Sequence, residues 1–309
     1  MKALMEERLF EPFIDATDGV LCLPSGSDAA EIEREAALHG LRFPLVVDES
    51  ARLCDQVAAS PFAPASSRFG PYCDNITGMN WELPDGRRVR VGERVVKSTT
   101  GYDLLRFLLG TTGRYGGPVD YVLRLRPACD VVQTFFLRGD LSPLRMAAAE
   151  ILQTSWIHWF DSMDFLAAQG CGPLLRIAVN CPPGEGDAYV DFLSKMAEKH
   201  RLSLDHSPGL PLDGCPDLVI KTSPALVLDT ALRLAEHPGT KCVALCCCGV
   251  VHLFLADPGP EAILLLARPL EKELYAIGGD WSSRHVRTNA PASPEADWIL
   301  TLRKEWGLP

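Results

Sequence analysis

No stretch of the chain is apolar for long enough to cross a bilayer as a helix, which excludes an ordinary transmembrane anchor. Basic residues are also scarce. The 30 Lys and Arg stand against 40 Asp and Glu, giving a formal charge of −10, and they gather into no stripe. A nucleic-acid backbone needs concentrated positive charge, so nucleic acid is not expected as a partner. Met1 to Pro12 carries acidic residues where a signal peptide would be basic, with no apolar run behind them, so the expected location is cytoplasmic. Ser-His-Asp order, a P-loop and zinc-ligand spacing are all missing.

What is present is ordinary globular material. With 309 residues, 47% hydrophobic and 23% charged, the chain can bury two modest cores. Its 11 cysteines are scattered through core-like contexts rather than set at the spacings of a small secreted framework, so reduced thiols are expected.

The apolar run Gly19 to Pro24 predicts a strand, Ser25 to Asp28 offers capping side chains to a helix through Ala29, Ile32, Ala36 and Leu38, and Gly40 closes it. Phe43 to Val47 predicts a second strand, which favours an α/β start. Residues 48 to 80, rich in Pro, Ser and Gly, are expected to follow an irregular surface path. Asn80 to Leu83 and Arg88 to Val91 flank Pro84-Asp85-Gly86-Arg87, a β-hairpin signature. Beyond Pro127 strands are expected at 131–137, 174–179, 218–221, 241–248 and 250–255. Helices are expected at 143–153, 188–200, 224–236 and 260–275. That alternation fits an α+β unit with an antiparallel sheet and helices on one face. A boundary near Pro127 to Asp130 gives two domains, 1–129 and 130–309.

Lys97-Ser98-Thr99-Thr100-Gly101-Tyr102-Asp103-Leu104, then Gly110-Thr111-Thr112-Gly113-Arg114-Tyr115-Gly116 and Tyr121 to Pro127, resemble the distal flavin-contacting segment of the FAD-linked oxidases. The resemblance runs from Ala51 to Pro127, with Arg68-Phe69-Gly70, Asp74, Gly78, Asp85 and Gly86 at family positions. It implies a truncated FAD-linked oxidase (PCMH-type) domain of the vanillyl-alcohol oxidase fold, followed by a cap-like α+β domain. The later half, through Ile220 to Ala225 and Gly249 to Leu253, resembles more faintly the cap of glycolate oxidase FAD-binding subunits. FAD is the implied cofactor, with Arg68, Gly70, Gly101, Tyr102, Gly110, Gly113, Arg114 and Gly116 as the implied contacts. The implied chemistry is oxidation of a 2-hydroxy acid, in a complex with a larger flavoprotein subunit and an iron-sulfur subunit.

Two departures from the family pattern weigh on that implication. The glycine-rich loop that holds the pyrophosphate through successive backbone N–H groups is missing, for the chain passes from Gly40-Leu41-Arg42 straight into Phe43 to Asp48. Where the family has a glycine pair and a further glycine, this chain has Cys54, Asp55 and Ala63. Arg114 and Tyr115 also stand where small residues are usual, and Arg114 offers a compensating partner for a phosphate. The alternatives are a flavin-free structural or regulatory subunit, and a protein that binds a small molecule between its two lobes.

Other clusters read more simply. Cys242, Cys246, Cys247 and Cys248 are expected on a packed strand, since neighbouring strand residues point to opposite faces and cannot converge on one metal ion. His158 and His252 are expected as satisfied core residues. Trp156 to Phe160 is expected as a core strand, and Tyr102-Asp103 as scaffold.

Overall fold

The computed structural model describes residues 9–256, apart from 95–102, 110, 112–114, 129–130, 169–170, 182–184, 209–212 and 223. The first half builds a five-stranded sheet from β1 (Phe13–Asp15), β2 (Val20–Pro24), β4 (Ile76–Glu82), β5 (Arg88–Gly92) and β6 (Gly117–Arg124), in the order β1-β2-β6-β4-β5. Every pairing in it is antiparallel. Helix α1 (Ala29–Ala37) starts where Asp28 accepts a hydrogen bond from the Glu31 amide at 2.8 Å. It presents Ala29, Ile32 and Ala36 to the core. The α/β start is therefore corrected, because β2 has antiparallel neighbours on both sides.

Phe43 to Val47 is not a strand. Only β3 (Leu41–Arg42) pairs, with β7 (Arg126–Pro127), and the chain then runs on without ladder partners while burying Phe43, Leu45 and Val47. Alternate burial mimics a strand without needing one. Residues 48–80 are more regular than their composition suggests. They hold three short helices, α2 (Leu53–Ala59), α3 (Ser66–Phe69) and α4 (Tyr72–Asn75), before β4 begins. The β4–β5 hairpin turns as expected, with the Leu83 amide donating to the Arg87 carbonyl at 2.8 Å.

The second half forms a seven-stranded antiparallel sheet. Its strands are β8 (Val131–Arg138), β9 (Phe160–Ala168), β10 (Cys171–Cys181), β11 (Ser203–Pro208), β12 (Leu218–Lys221), β13 (Thr240–Leu245) and β14 (Val250–Leu255), ordered β11-β8-β10-β9-β13-β14-β12. Helices α6 (Leu141–Leu152), α7 (Gly186–His200) and α8 (Val227–Ala235) cover one face; a short helix, α5 (Leu104–Leu109), belongs to the first half. The covered face packs Phe135, Met163, Ile177 and Leu253 against Leu144, Leu193 and Leu234. This is the expected α+β arrangement. Three details differ: Trp156 to Trp159 form a 3-10 turn rather than a strand, Cys246 to Cys248 lie in the β13–β14 turn, and β9 and β11 were not foreseen. The helix expected at 260–275 lies outside the described residues.

Gly116 locks β6 to the hairpin. Its φ is +105°, and a Cβ there would sit 1.9 Å from the Glu82 carbonyl oxygen, while the Trp81 indole donates to the neighbouring Tyr115 carbonyl at 2.8 Å. Gly116→Ala is expected to cost on the order of 3 kcal/mol, since neither the backbone angle nor the space admits a methyl group. Urea denaturation measures this; a loss below about 1 kcal/mol would show that the strands separate without penalty.

Candidate functional site

The uncovered face of the seven-stranded sheet meets the first half of the chain, and its chemistry differs from that of the helix-covered face. Strand alternation places Asp164 of β9, Arg176 and Asn180 of β10, Lys241 of β13 and His252 of β14 away from the helices, and a register shift between Phe160 and Ser162 brings Asp161 to the same face. Beside them Val219, Val243, Leu245 and Val250 form an apolar patch, with Phe62 of the first half packed against it.

Charge is concentrated at two points on this face. At the first, Arg42 reaches Asp161 Oδ2 at 2.7 Å, and both side chains are almost completely buried. Arg68 takes the other carboxylate oxygen at 3.0 Å. Asn180, oriented with its amide oxygen toward Arg42, accepts from its Nε at 2.9 Å. The guanidinium carbons of Arg42, Arg68 and Arg126 lie 5.6, 5.0 and 5.3 Å from the centroid of one ring, Phe69.

The second point is Arg176, which lies 2.7 Å from Asp213 and 3.2 Å from Asp164, while Lys241 holds the other oxygen of Asp213 at 3.0 Å. Burial raises Asp164 to about 6, and Arg176, engaged more closely with Asp213, lowers it only in part. For Asp213, Arg176 and Lys241 outweigh burial and hold its carboxyl below the ordinary range. His252, buried against the Ser60 hydroxyl at 3.0 Å, is pushed down to about 4 by burial, with Asp213 pulling it up and Arg176 pushing it down. It is therefore a neutral imidazole at neutral pH, a satisfied core histidine as expected. His158 is exposed on the 3-10 turn and not in an apolar strand.

The implied flavin contacts divide. Gly101, Tyr102, Gly110, Gly113 and Arg114 lie outside the described residues. Arg68 joins the Asp161 cluster. Gly70 and Gly116 are both accounted for within the chain, because a Cβ on Gly70, whose φ is +80°, would come within 2.8 Å of Asp74 Oδ2, and one on Gly116 would strike Glu82.

A pyrophosphate cradle needs unengaged N–H donors. At the end of the run Phe43 to Val47, Gln56 holds the backbone: fully buried, it accepts from the amides of Val47 at 2.9 Å and Asp48 at 3.3 Å, and donates to the carbonyls of Asp48 and Ala51. Asp48 accepts from the amides of Ser50 and Ala51, and the Ser50 hydroxyl and amide hold its carboxyl below the ordinary range. At and just before the glycine-pair position, the Leu53 and Cys54 amides donate to the carbonyls of Ser27 and Ser25, each at 2.9 Å. These six donors do not fit a pyrophosphate. Asp55 is turned outward into a two-toothed pair with Arg52, which offsets its charge. Behind α2, Ala63, Tyr72 and Tyr121 are buried within one core.

Gln56 is the functional signal that sequence reasoning missed. A lone amide among apolar neighbours in Leu53 to Ala59 was its only trace.

No family model matches the chain. A stretch of 125 residues is 27% identical to a D-lactate dehydrogenase of Archaeoglobus fulgidus, covering 40% of this chain and 28% of that protein. Another of 118 residues is 25% identical to an FAD-linked oxidoreductase of Mycobacterium tuberculosis, covering 38% and 26%. A third of 88 residues is 33% identical to a mitochondrial D-lactate dehydrogenase (cytochrome) of Arabidopsis thaliana, covering 28% and 16%. The matched stretches thus span less than a third of these relatives. Among solved structures, an alkyldihydroxyacetonephosphate synthase superposes with a TM-score of 0.64 at 14% identity, over 97% of this chain and 65% of that one. A 4-ethylphenol oxidase from Gulosibacter chungangensis gives 0.63 at 11%, over 89% and 69%. At these identities the likeness is one of fold, shared with VAO-type flavoproteins such as one from Myceliophthora thermophila.

Asp161→Ala is expected to lower stability by about 3–5 kcal/mol, because it strands the buried Arg42 without a counter-charge; urea unfolding reads it, and a loss under about 1 kcal/mol would show that the pair is dispensable. For His252 the folded value is depressed. Its contribution is complete above the unfolded value of 6.5 and is lost as pH falls toward 4, by up to about 3 kcal/mol. His252→Gln should remove that slope from the pH dependence of the wild-type unfolding free energy; a variant with an unchanged slope would contradict the assignment.

Proposed function

We propose, from the premise that this chain has the vanillyl-alcohol oxidase fold and shares sequence with FAD-linked oxidoreductases, that it serves as a subunit of a larger 2-hydroxy acid oxidoreductase without an FAD pyrophosphate cradle of its own. One observation carries the reading: the six amides between Val47 and Cys54 that stand nearest the family's phosphate-holding positions are satisfied by Gln56, Asp48, Ser25 and Ser27. To hold a diphosphate there, the chain would have to break those bonds and leave the buried amide of Gln56 unpaired, a cost of roughly 1–3 kcal/mol for each buried polar group stranded.

The 2-hydroxy acid assignment rests on relatives named for D-lactate, and the likeness to a glycolate oxidase FAD-binding subunit rests only on the fainter resemblance in the later half. A larger flavoprotein and an iron-sulfur subunit are the partners such a role requires. Within that assembly the chain contributes its fold and the closed contact between its lobes.

Purified alone, the full chain is expected to be colourless in the flavin band and to leave the fluorescence of added FAD unquenched. A yellow preparation with one FAD per chain would overturn the cofactor half of the proposal. A tagged chain recovered from its native host is expected to bring a flavoprotein and an iron-sulfur protein with it, and its recovery alone would overturn the subunit half.

A further inference from the structure

We infer that Arg42, Arg68 and Arg126, gathered around the Phe69 ring where the two lobes meet, form a binding site for a small dianionic oxyanion, a phosphate or a dicarboxylate. The inference requires no flavin and holds whether or not the chain is a subunit of a larger enzyme.

The cluster is a concentration of positive charge in a chain whose formal charge is −10. Three guanidinium carbons lie within 5.6 Å of one ring centroid, and Arg124 is close enough to add to the repulsion felt by Arg126. Against these four charges stand Asp161, ion-paired with Arg42 and Arg68, and Glu33, which senses Arg42 and whose carboxyl burial pushes up. Among the described residues two positive charges are left over. Such an excess suits a dianion.

Arg126 is half-buried, and its hydrogen-bond partners among the described residues are neutral: the Asn75 side-chain oxygen at 3.0 Å and the Leu125 carbonyl at 3.3 Å. Among the described residues no carboxylate lies within ion-pair distance of it. A guanidinium carries five N–H donors in a flat fork, so these two bonds leave donors in hand. Burial, then Arg124, Arg42 and Arg68, bring its proton affinity down to about 10, and an incoming anion would reverse that repulsion.

Arg42 is buried behind Asp161, whereas the Arg68 side chain is 27% exposed and Arg126 is partly exposed, so an anion would meet the cluster from the side of Arg68 and Arg126. Phe69 holds the guanidinium planes by cation–π contact, which limits the rotamers to be ordered on binding. Forks so placed engage phosphate or carboxylate in pairs of parallel hydrogen bonds.

Isothermal titration of the full chain with inorganic phosphate, and separately with malonate, tests the site at constant ionic strength, with sodium chloride as the control. Saturable one-to-one binding of at least one dianion is expected, and the tighter of the two identifies the source of the oxyanion. Arg126→Gln and Arg68→Gln should each weaken it by about tenfold or more, whereas Arg87→Gln, at the tip of the hairpin, should leave it unchanged. Thermal midpoints without anion establish that each variant is folded; should Arg126→Gln fail that control, Arg68→Gln, altered at the exposed edge, decides. No saturable binding of either dianion, or equal binding by wild type and the folded variants, would overturn the site.

Discussion

A guanidinium and a carboxylate taken out of water together, Arg42 against Asp161, set how the two sheets of this molecule meet. Removing both charges from solvent is costly, and only good geometry with further hydrogen bonds offsets the cost. Here those bonds come from both halves: Arg68 takes the second oxygen of Asp161, and Asn180 turns its amide oxygen to Arg42. Arg42 stands at the end of β3, immediately after α1, and Asp161 is the second residue of β9. The pair thus joins the start of one lobe to the middle of the other. Around it, apolar burial supplies the bulk of the contact, with Phe62 on Val219, Val243, Leu245 and Val250.

The same constraint bears on the place where a phosphate loop would have begun. The residue after Arg42 is Phe43, which with Leu45 and Val47 dives into the core of the first half, so the chain leaves the ion pair along a buried path. A buried path without strand partners leaves backbone groups to be satisfied. Gln56 meets that need from α2, and the Val47 carbonyl accepts from the Gly214 amide of the second half at 2.8 Å. The same stretch of backbone is thus held by Gln56 from the first half and by Gly214 from the second.

What the sequence made legible follows the range of the forces involved. The hairpin, the cap at Asp28, and the strands at 218–221 and 250–255 were readable because turn chemistry and short-range alternation decide them. Strand β9 was not, because Asp161, Ser162 and Asp164 interrupt its apolar pattern, and those residues make sense only against Arg42, Arg68 and Arg176 from elsewhere in the chain. Phe43 to Val47 misled for the opposite reason: its alternation is real but reports burial between layers rather than pairing. The candidate site was half legible. The departures at Cys54 and Asp55 drew attention to the helix that also carries Gln56, while the bonds of Gln56 and the arginine cluster on Phe69 depend on contacts that spacing does not encode.

A motif outlasts its first use when the fold needs it for a second reason. Gly70 and Gly116 look like flavin-approach glycines, yet here each is required by a contact inside the chain, with Asp74 in one case and the Glu82 carbonyl in the other. Arg68 likewise stands at a family position and is engaged by Asp161. Each of these residues is held by a contact within the chain, so its presence does not by itself report a bound cofactor. The amides of Val47, Leu53 and Cys54 are more telling, for they face Gln56 or a serine carbonyl. Chemistry is better read from where such N–H groups point than from the glycines beside them, because a hydrogen bond already made inside the protein is the competitor any ligand must displace.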